Sequence, residues 1–249
     1  MSSAYLEKET ILSLAVMSEV YKDWQPRTLP NRGYNIGALL YDARTDTVAF
    51  MEKNSINLCG DKTQHAEVRL MQGYLGKKVL PDLEGMHVIT TLEPCMMCSG
   101  MLIFLNVDTV KYIQADPYFG KNIERLAADW VEQGKVFPGN GRSKRTKSVP
   151  VACPAGILLE EGFREFVRKT ENAMLSDYLY TESVESVYRA SFDILQHWQV
   201  IYPENRRLLE NVFRVLNLEN REDSEYGKQA FRKNRELVKR NLAQLKAVE

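Results

Sequence analysis

Apolar side chains recur at Ile11, Leu12, Ala15, Val16 and Val20, the spacing of one helical face, and predict a helix over residues 5–24 that Pro26 and Pro30 end. Residues 34–41 (YNIGALLY) read as a strand, Asp42 to Asp46 as a turn, and Val48 to Met51 as the hairpin partner. After a polar loop, a helix opens at His65 and runs to about residue 75, where Gly76 stops it. The β-branched stretch 85–92 (GMHVITTL), bounded by Gly and Pro, predicts a strand buried on both faces. Pro94 suits a first helical position, so a helix carrying Cys95 and Cys98 is expected to about residue 105. A strand over 107–115 follows, and the alternation of strand and helix argues for a sheet covered by helices.

Residues 134–148, rich in glycine and carrying Arg142, Lys144, Arg145 and Lys147, read as an exposed loop before a short strand near 149–153 and a helix beginning near Gly156. Beyond about Asp177 the pattern is helical throughout. Val184, Val187, Tyr188, Leu195 and Trp198 space one apolar stripe, and Leu208, Leu209, Val212, Phe213 and Leu216 another. The chain therefore divides into a domain over residues 1–176 and a helical extension over 177–249. Three roles are open to the extension: packing on the domain or on a second subunit, closing over a site as a lid, or touching RNA. The last would use Lys228, Arg232, Lys233, Arg235, Lys239 and Arg240, a charge run diluted by Glu222, Asp223, Glu225 and Glu236.

Composition narrows the class only a little. The 249 residues are 44% hydrophobic, and 33 basic side chains balance 33 acidic ones, so no global field selects polyanions. No run approaches the roughly 18 apolar residues of a membrane span, and residues 1–8 are polar, so a cytoplasmic location is expected. Without a secretion signal, the spacing of Cys95 and Cys98 reads as metal-binding rather than as a disulfide.

Two short motifs carry the chemistry. His65-Ala66-Glu67 and Pro94-Cys95-Met96-Met97-Cys98 supply an imidazole, two thiolates and a carboxylate, with Cys95 standing 28 positions after Glu67. Three soft ligands, His65, Cys95 and Cys98, suit one tetrahedral zinc per chain whose fourth position holds a water or hydroxide. Cys95 and Cys98 would share a face in the first turn of their helix, where the macrodipole favours thiolates. Glu67, two residues past His65, is the candidate proton shuttle for a metal-bound water whose pKa falls from about 16 to about 7. A four-ligand structural zinc would need one more soft donor. Cys59, Cys153 and His87 are the candidates, and none has a partner at ligand spacing.

The arrangement H-x-E followed by P-C-x-x-C is a recognised signature of zinc deaminases. Residues 91–100, TLEPCMMCSG, resemble the zinc-site motif of the tRNA-adenosine deaminase and guanine deaminase branch of the cytidine-deaminase-like superfamily. Cytidine deaminases usually carry a Pro-Cys-Gly run there, and riboflavin-pathway deaminases space the two cysteines much further apart. Asn54, eleven residues before His65, stands where that branch places an asparagine bonded to the target base. Asp116, eighteen after Cys98, stands where the bacterial tRNA enzymes place an aspartate near the target nucleotide. Gly156-Ile157-Leu158 with Glu160 and Glu161 resembles their last strand-to-helix passage. Over roughly residues 5–175 the resemblance implies an α/β fold, a three-layer α/β/α arrangement with a five-stranded mixed sheet, and a homodimer.

Each of these positions also has a plain structural role open to it. Asn54 can stabilise a turn through its own side chain, and Asp116-Pro117 can simply start one. Tyr118 and Phe119 can stack on a base or cover core. Cys59 reads as an incidental thiol, and His87 and His197 as structural histidines. Where the tRNA enzymes carry Phe-Gly-Ala before the aspartate, this chain has Tyr112-Ile113-Gln114-Ala115, which reshapes the expected pocket wall.

The expected activity is zinc-dependent hydrolytic removal of an exocyclic amine, with a purine favoured: adenosine in tRNA, or free guanine or adenine. The expected partners are a nucleobase, a nucleoside or a tRNA anticodon loop. The last requires base extrusion and salt-sensitive phosphate contacts. The alternatives are a cytosine-type or other small heterocycle, and a catalytically silent zinc-binding scaffold or regulatory subunit. A silent relative would be expected to have lost its shuttle carboxylate, and Glu67 is intact.

Overall fold

A computed structural model describes residues 3–77, 82–139 and 141–218. Its first helix, α1 (Ser3–Tyr21), is buried on almost every side, including the polar Glu7, Glu9, Ser13 and Ser18. A helix enclosed in this way lies between two layers. One is the sheet formed by β1 (Gly37–Asp42), β2 (Thr47–Lys53), β3 (Met86–Leu92), β4 (Thr109–Gln114) and β7 (Lys147–Pro150). The other is helix α7 (Glu182–Gln196), packed along α1.

The sheet order is β2-β1-β3-β4-β7. β1 is antiparallel to β2 and β3, while β3, β4 and β7 run parallel. This is the expected five-stranded mixed sheet. Residues alternate between its faces. Gly37 meets α1 so closely that an added Cβ would lie 2.5 Å from Val20, and Lys111 of β4 pairs with Glu9 on the same side. Thr90 of β3 points the other way, to α2 (Ala66–Lys77) and α3 (Met96–Phe104). Helix α5 (Pro154–Lys169) contacts β4 and α7, which completes the α1 side of a three-layer arrangement.

Several boundaries differ from expectation for local reasons. α2 runs through Gly76 to Lys77. Helix α3 begins at Met96, because Cys95 is extended (φ −68, ψ 174) and acts as its N-cap, leaving Pro94 outside the helix. β7 lies two residues earlier than predicted, its register set by pairing Lys147 with Thr109, and Cys153 instead caps α5 with Pro154 in the first turn. The expected exposed loop begins in the turn of a hairpin, β5 (Trp130–Glu132) and β6 (Lys135–Phe137), of which only β6 and Gly134 fall within 134–148. It closes through Gln133 and Gly134, both at positive φ (50 and 75), the conformation that tight hairpin turns require. A short helix, α4 (Asn122–Ala127), precedes it.

Past α5, α6 (Leu175–Tyr178), α7 and α8 (Arg206–Leu216) follow in order. The two predicted stripes are the buried faces of α7 and α8, with Trp198 buried just beyond α7. α8 covers β2, where Asn211 Oδ1 accepts a 2.7 Å hydrogen bond from Val48 N beside the irregularity in the β1–β2 ladder. The fully buried Glu7 carboxylate accepts from Ile201 N, Tyr202 N and Asn205 Nδ2, fastening the α7–α8 connection to α1. The basic run from Lys228 to Arg240 lies outside the described residues. No described helix is long and apolar enough to cross a membrane.

Candidate metal centre and active site

Two helix N-termini converge at the site. His65 O accepts the first helical hydrogen bond of α2, from Arg69 N at 3.0 Å, and Cys95 O accepts that of α3, from Ser99 N at 2.9 Å. Both residues therefore stand at caps, where the positive ends of the macrodipoles favour an anionic donor set. Cys98 follows inside the first turn of α3 and is fully buried.

His65 Nδ1 lies 3.6 Å from Cys95 Sγ and 3.7 Å from Cys98 Sγ, and the two sulfurs are 3.6 Å apart. Tetrahedral zinc, with Zn–S of about 2.3 Å and Zn–N of about 2.0–2.1 Å, requires about 3.6 Å between N and S and about 3.8 Å between sulfurs. The triangle fits that ion. No fourth soft donor joins it among the described residues. Cys59 is exposed, 3.5 Å from Arg69 Nη1, Cys153 caps α5, and His87 packs beside Tyr41 at 5.8 Å between rings. The structural four-ligand alternative thus lacks its fourth ligand among the residues described.

Without an ion the donors share protons. The hydrogen bond from the Cys98 thiol, helped by His65, pushes Cys95 down to about 4 against the opposing effect of burial. The Cys95 partnership and burial push Cys98 well up. The hydrogen bond with Cys95 raises His65. A metal that takes two thiolates therefore displaces a proton from Cys98.

Glu67, on the first turn of α2, is buried. Its Oε1 accepts from Thr90 Oγ1 at 2.8 Å, and its Oε2 lies 3.4 Å from Cys98 Sγ, against the triangle. Burial raises its pKa. Glu67, His65 and Cys95 open into a cavity of about 300 Å³ that Asn54, Glu93 and Asp116 also line.

The structure fixes Asn54 through its oxygen and leaves its amide nitrogen a spare donor. Oδ1 is held by Tyr34 N at 3.2 Å and Ile56 N at 3.4 Å, while the buried Nδ2 has no partner. Asp116 lines the cavity too, but its Oδ1 accepts from Tyr118 N and Phe119 N, both at 2.9 Å, so this oxygen is committed to the turn. Tyr118 stands edge-on to Phe163, and Phe119 is 62% exposed at the rim. His197 is bound to Asp193 O at the end of α7, away from these elements.

Three contributions were missed in the sequence. Glu93 accepts from Asp116 N at 3.0 Å and Lys121 N at 2.8 Å, and so shapes the 116–121 wall. An added Cβ at Gly120 would lie 2.2 Å from its Oε2, so only glycine fits there. A glutamate ending a buried apolar strand was the available signal. Thr90 was hidden within a β-branched strand. Met174, Leu175 and Ser176 close one side of the cavity, a contact that only the folded chain creates.

The α/β fold thus brings a His/Cys/Cys triangle and a buried carboxylate together at one cavity. Residues 13–114 match the family model described as the cytidine and deoxycytidylate deaminase zinc-binding region, and over that stretch the chain is similar to that family. Among particular relatives, a tRNA-specific adenosine deaminase of Aquifex aeolicus (strain VF5) is 33% identical over 67 residues, 27% of this chain and 44% of that protein. The chain thus spans less than half the length of this curated relative.

Solved structures overlay more loosely. One, from studies of A-to-I editing by tRNA:A34 deaminases, is 25% identical with a TM-score of 0.35, over 46% of this chain and 82% of that one. The guanine deaminase of Nitrosomonas europaea is 15% identical with a TM-score of 0.37, over 64% and 74% of the two chains.

The unpartnered Asn54 Nδ2 yields a direct expectation. Asn54→Asp keeps the oxygen that holds Tyr34 N and Ile56 N but replaces the donor with an anionic acceptor. On the reading that Nδ2 donates to a substrate acceptor, losing that bond, worth about 1–2 kcal/mol, is expected to raise KM about tenfold. Steady-state kinetics check this, and an unchanged KM would return Asn54 to a purely structural role.

Proposed function

We propose that this protein is a zinc-dependent hydrolytic deaminase that exchanges the exocyclic amine of a purine base for oxygen and releases ammonia. The observation that carries the reading is the buried Glu67 carboxylate, with Oε2 against the donor triangle and facing the same cavity as the unpaired Asn54 amide. His65 Nδ1, Cys95 Sγ and Cys98 Sγ would hold a zinc ion, which would supply the Lewis acidity that makes water a nucleophile near neutral pH.

The side chains divide the remaining work. Asn54 Nδ2 donates to an acceptor on the ring and fixes its orientation. Glu67 Oε2 takes a proton from the attacking water and delivers it to the ring nitrogen beside the carbon under attack. It then carries the second proton to the departing amine, so that amine plus water become carbonyl plus ammonia. Burial, which raises the Glu67 pKa, suits a group that must both accept and give protons near neutrality. Asp116 borders the substrate, and Glu93 holds the wall on which it sits.

A purine is favoured by the TLEPCMMCSG motif, by the adenosine deaminase relative, and by a cavity at the small end of the ligand-pocket range, sized for one heterocycle. The base is free guanine or adenine, or an adenosine extruded from a tRNA anticodon loop. Residues 1–176 form the deaminase domain and 177–249 its extension, and the homodimer implied by the motif resemblance belongs to the same reading. Ammonia release from adenine, guanine, cytosine, their nucleosides and an anticodon stem-loop tests it. Turnover of a purine is expected. If the stem-loop is the substrate, its affinity falls steeply with salt. Turnover confined to cytosine or cytidine would overturn the purine assignment.

A further inference from the structure

The Glu67 carboxylate ends a flexible side chain in a cavity that must admit a substrate, so something has to hold its orientation. Cys98, 3.4 Å from Oε2, belongs to the donor triangle. The other side chain bonded to the carboxylate is Thr90, which reaches Oε1 at 2.8 Å from the neighbouring strand β3. Thr90 is itself fully buried on the α2 face of the sheet, and its Oγ1 also lies 3.1 Å from Gly37 O of β1. With one proton to donate, the hydroxyl serves Glu67 Oε1, the nearer of the two acceptors, and bridges the gap between strand and helix.

We infer that Thr90 is a positioning residue for the deamination reaction: its hydroxyl holds Glu67 Oε1 so that Oε2 is presented to the reacting atoms. This rests on the reading of Glu67 as the proton carrier. Productive proton transfer needs heavy atoms within about 2.6–3.2 Å, and a displacement of about 1 Å lowers rates about a hundredfold. The effect should fall on kcat, because Thr90 stands behind Glu67 and is not among the residues that line the cavity.

The test compares Thr90→Val, which keeps the shape and removes the hydroxyl, with Thr90→Ser, which keeps the hydroxyl, and with Glu67→Gln. Zinc content is measured in each. Thr90→Val is expected to lower kcat about ten- to a hundredfold with KM within about twofold, and Thr90→Ser to recover most of the loss. A crystal structure of the zinc-loaded Thr90→Val protein should show the Glu67 carboxylate rotated or in several orientations. An inactive Glu67→Gln beside a fully active Thr90→Val, or a Glu67 carboxylate unmoved in that structure, overturns the role of Thr90 and leaves Glu67 standing. An active Glu67→Gln overturns the proton-carrier reading itself, and the Thr90 role with it. Should the valine variant fail to fold, Thr90→Ser and Thr90→Ala carry the comparison, and equal kcat in those two overturns the proposal.

Discussion

Replacing Glu67 with glutamine is expected to leave zinc bound at one per chain and to lower kcat by about a thousandfold, within the range for loss of a general acid–base group. The substitution preserves size, and the amide oxygen still accepts from Thr90 Oγ1. What disappears is the ability to take a proton at Oε2 and give it back. The metal donors are unaffected, because His65, Cys95 and Cys98 form their triangle without the carboxylate. Zinc quantification with ammonia assays on the same preparation separates the two properties. Turnover within about tenfold of the parent protein would remove Glu67 from the chemistry.

Stripping the metal should be equally severe for activity, with a second effect on stability. The donor triangle ties the N-terminus of α2 to that of α3, and a ligand bound only by the folded state stabilises it by mass action. Zinc at about a thousand times its Kd contributes about 4 kcal/mol. For a chain of this size that raises Tm by about 8–16 °C. Chelation should therefore abolish turnover and lower Tm, and zinc should restore both. Magnesium should not, because thiolate donors disfavour a hard cation. Cys98→Ser should behave as the stripped protein does. A Tm indifferent to chelator in a protein that contained zinc at the outset would contradict this.

The sequence was most legible where local pattern and tertiary need coincide. The apolar spacing of α1, strand β1 and the β-branched β3 strand announce themselves because each buries a run of apolar side chains, and β2 follows from the turn after β1. The grouping of His65, Cys95 and Cys98 was legible because coordination limits both residue type and spacing, and the fold does bring the three together. Elsewhere the information is tertiary. Cys95 leaves the helix because its extended backbone caps α3. The Trp130–Phe137 hairpin was obscured by surrounding glycines and charges, its stacked rings (5.3 Å, 13°) lying too far apart in sequence to form a strand pattern. Glu93 and Thr90 act through hydrogen bonds to residues more than twenty positions away, which no periodicity reports. Asn54 illustrates both levels, since the turn contact and the orphaned amide belong to one side chain.

The most direct measurement is turnover of the zinc-replete protein in ¹⁸O-labelled water with its best purine substrate, following ammonia and product mass together. Hydrolytic deamination requires one ammonia released and one ¹⁸O atom gained for each base converted, with neither seen for Glu67→Gln. Zinc bound at one per chain with no ammonia above the Glu67→Gln background from any purine base, nucleoside or stem-loop would contradict that chemistry and favour a zinc-binding scaffold.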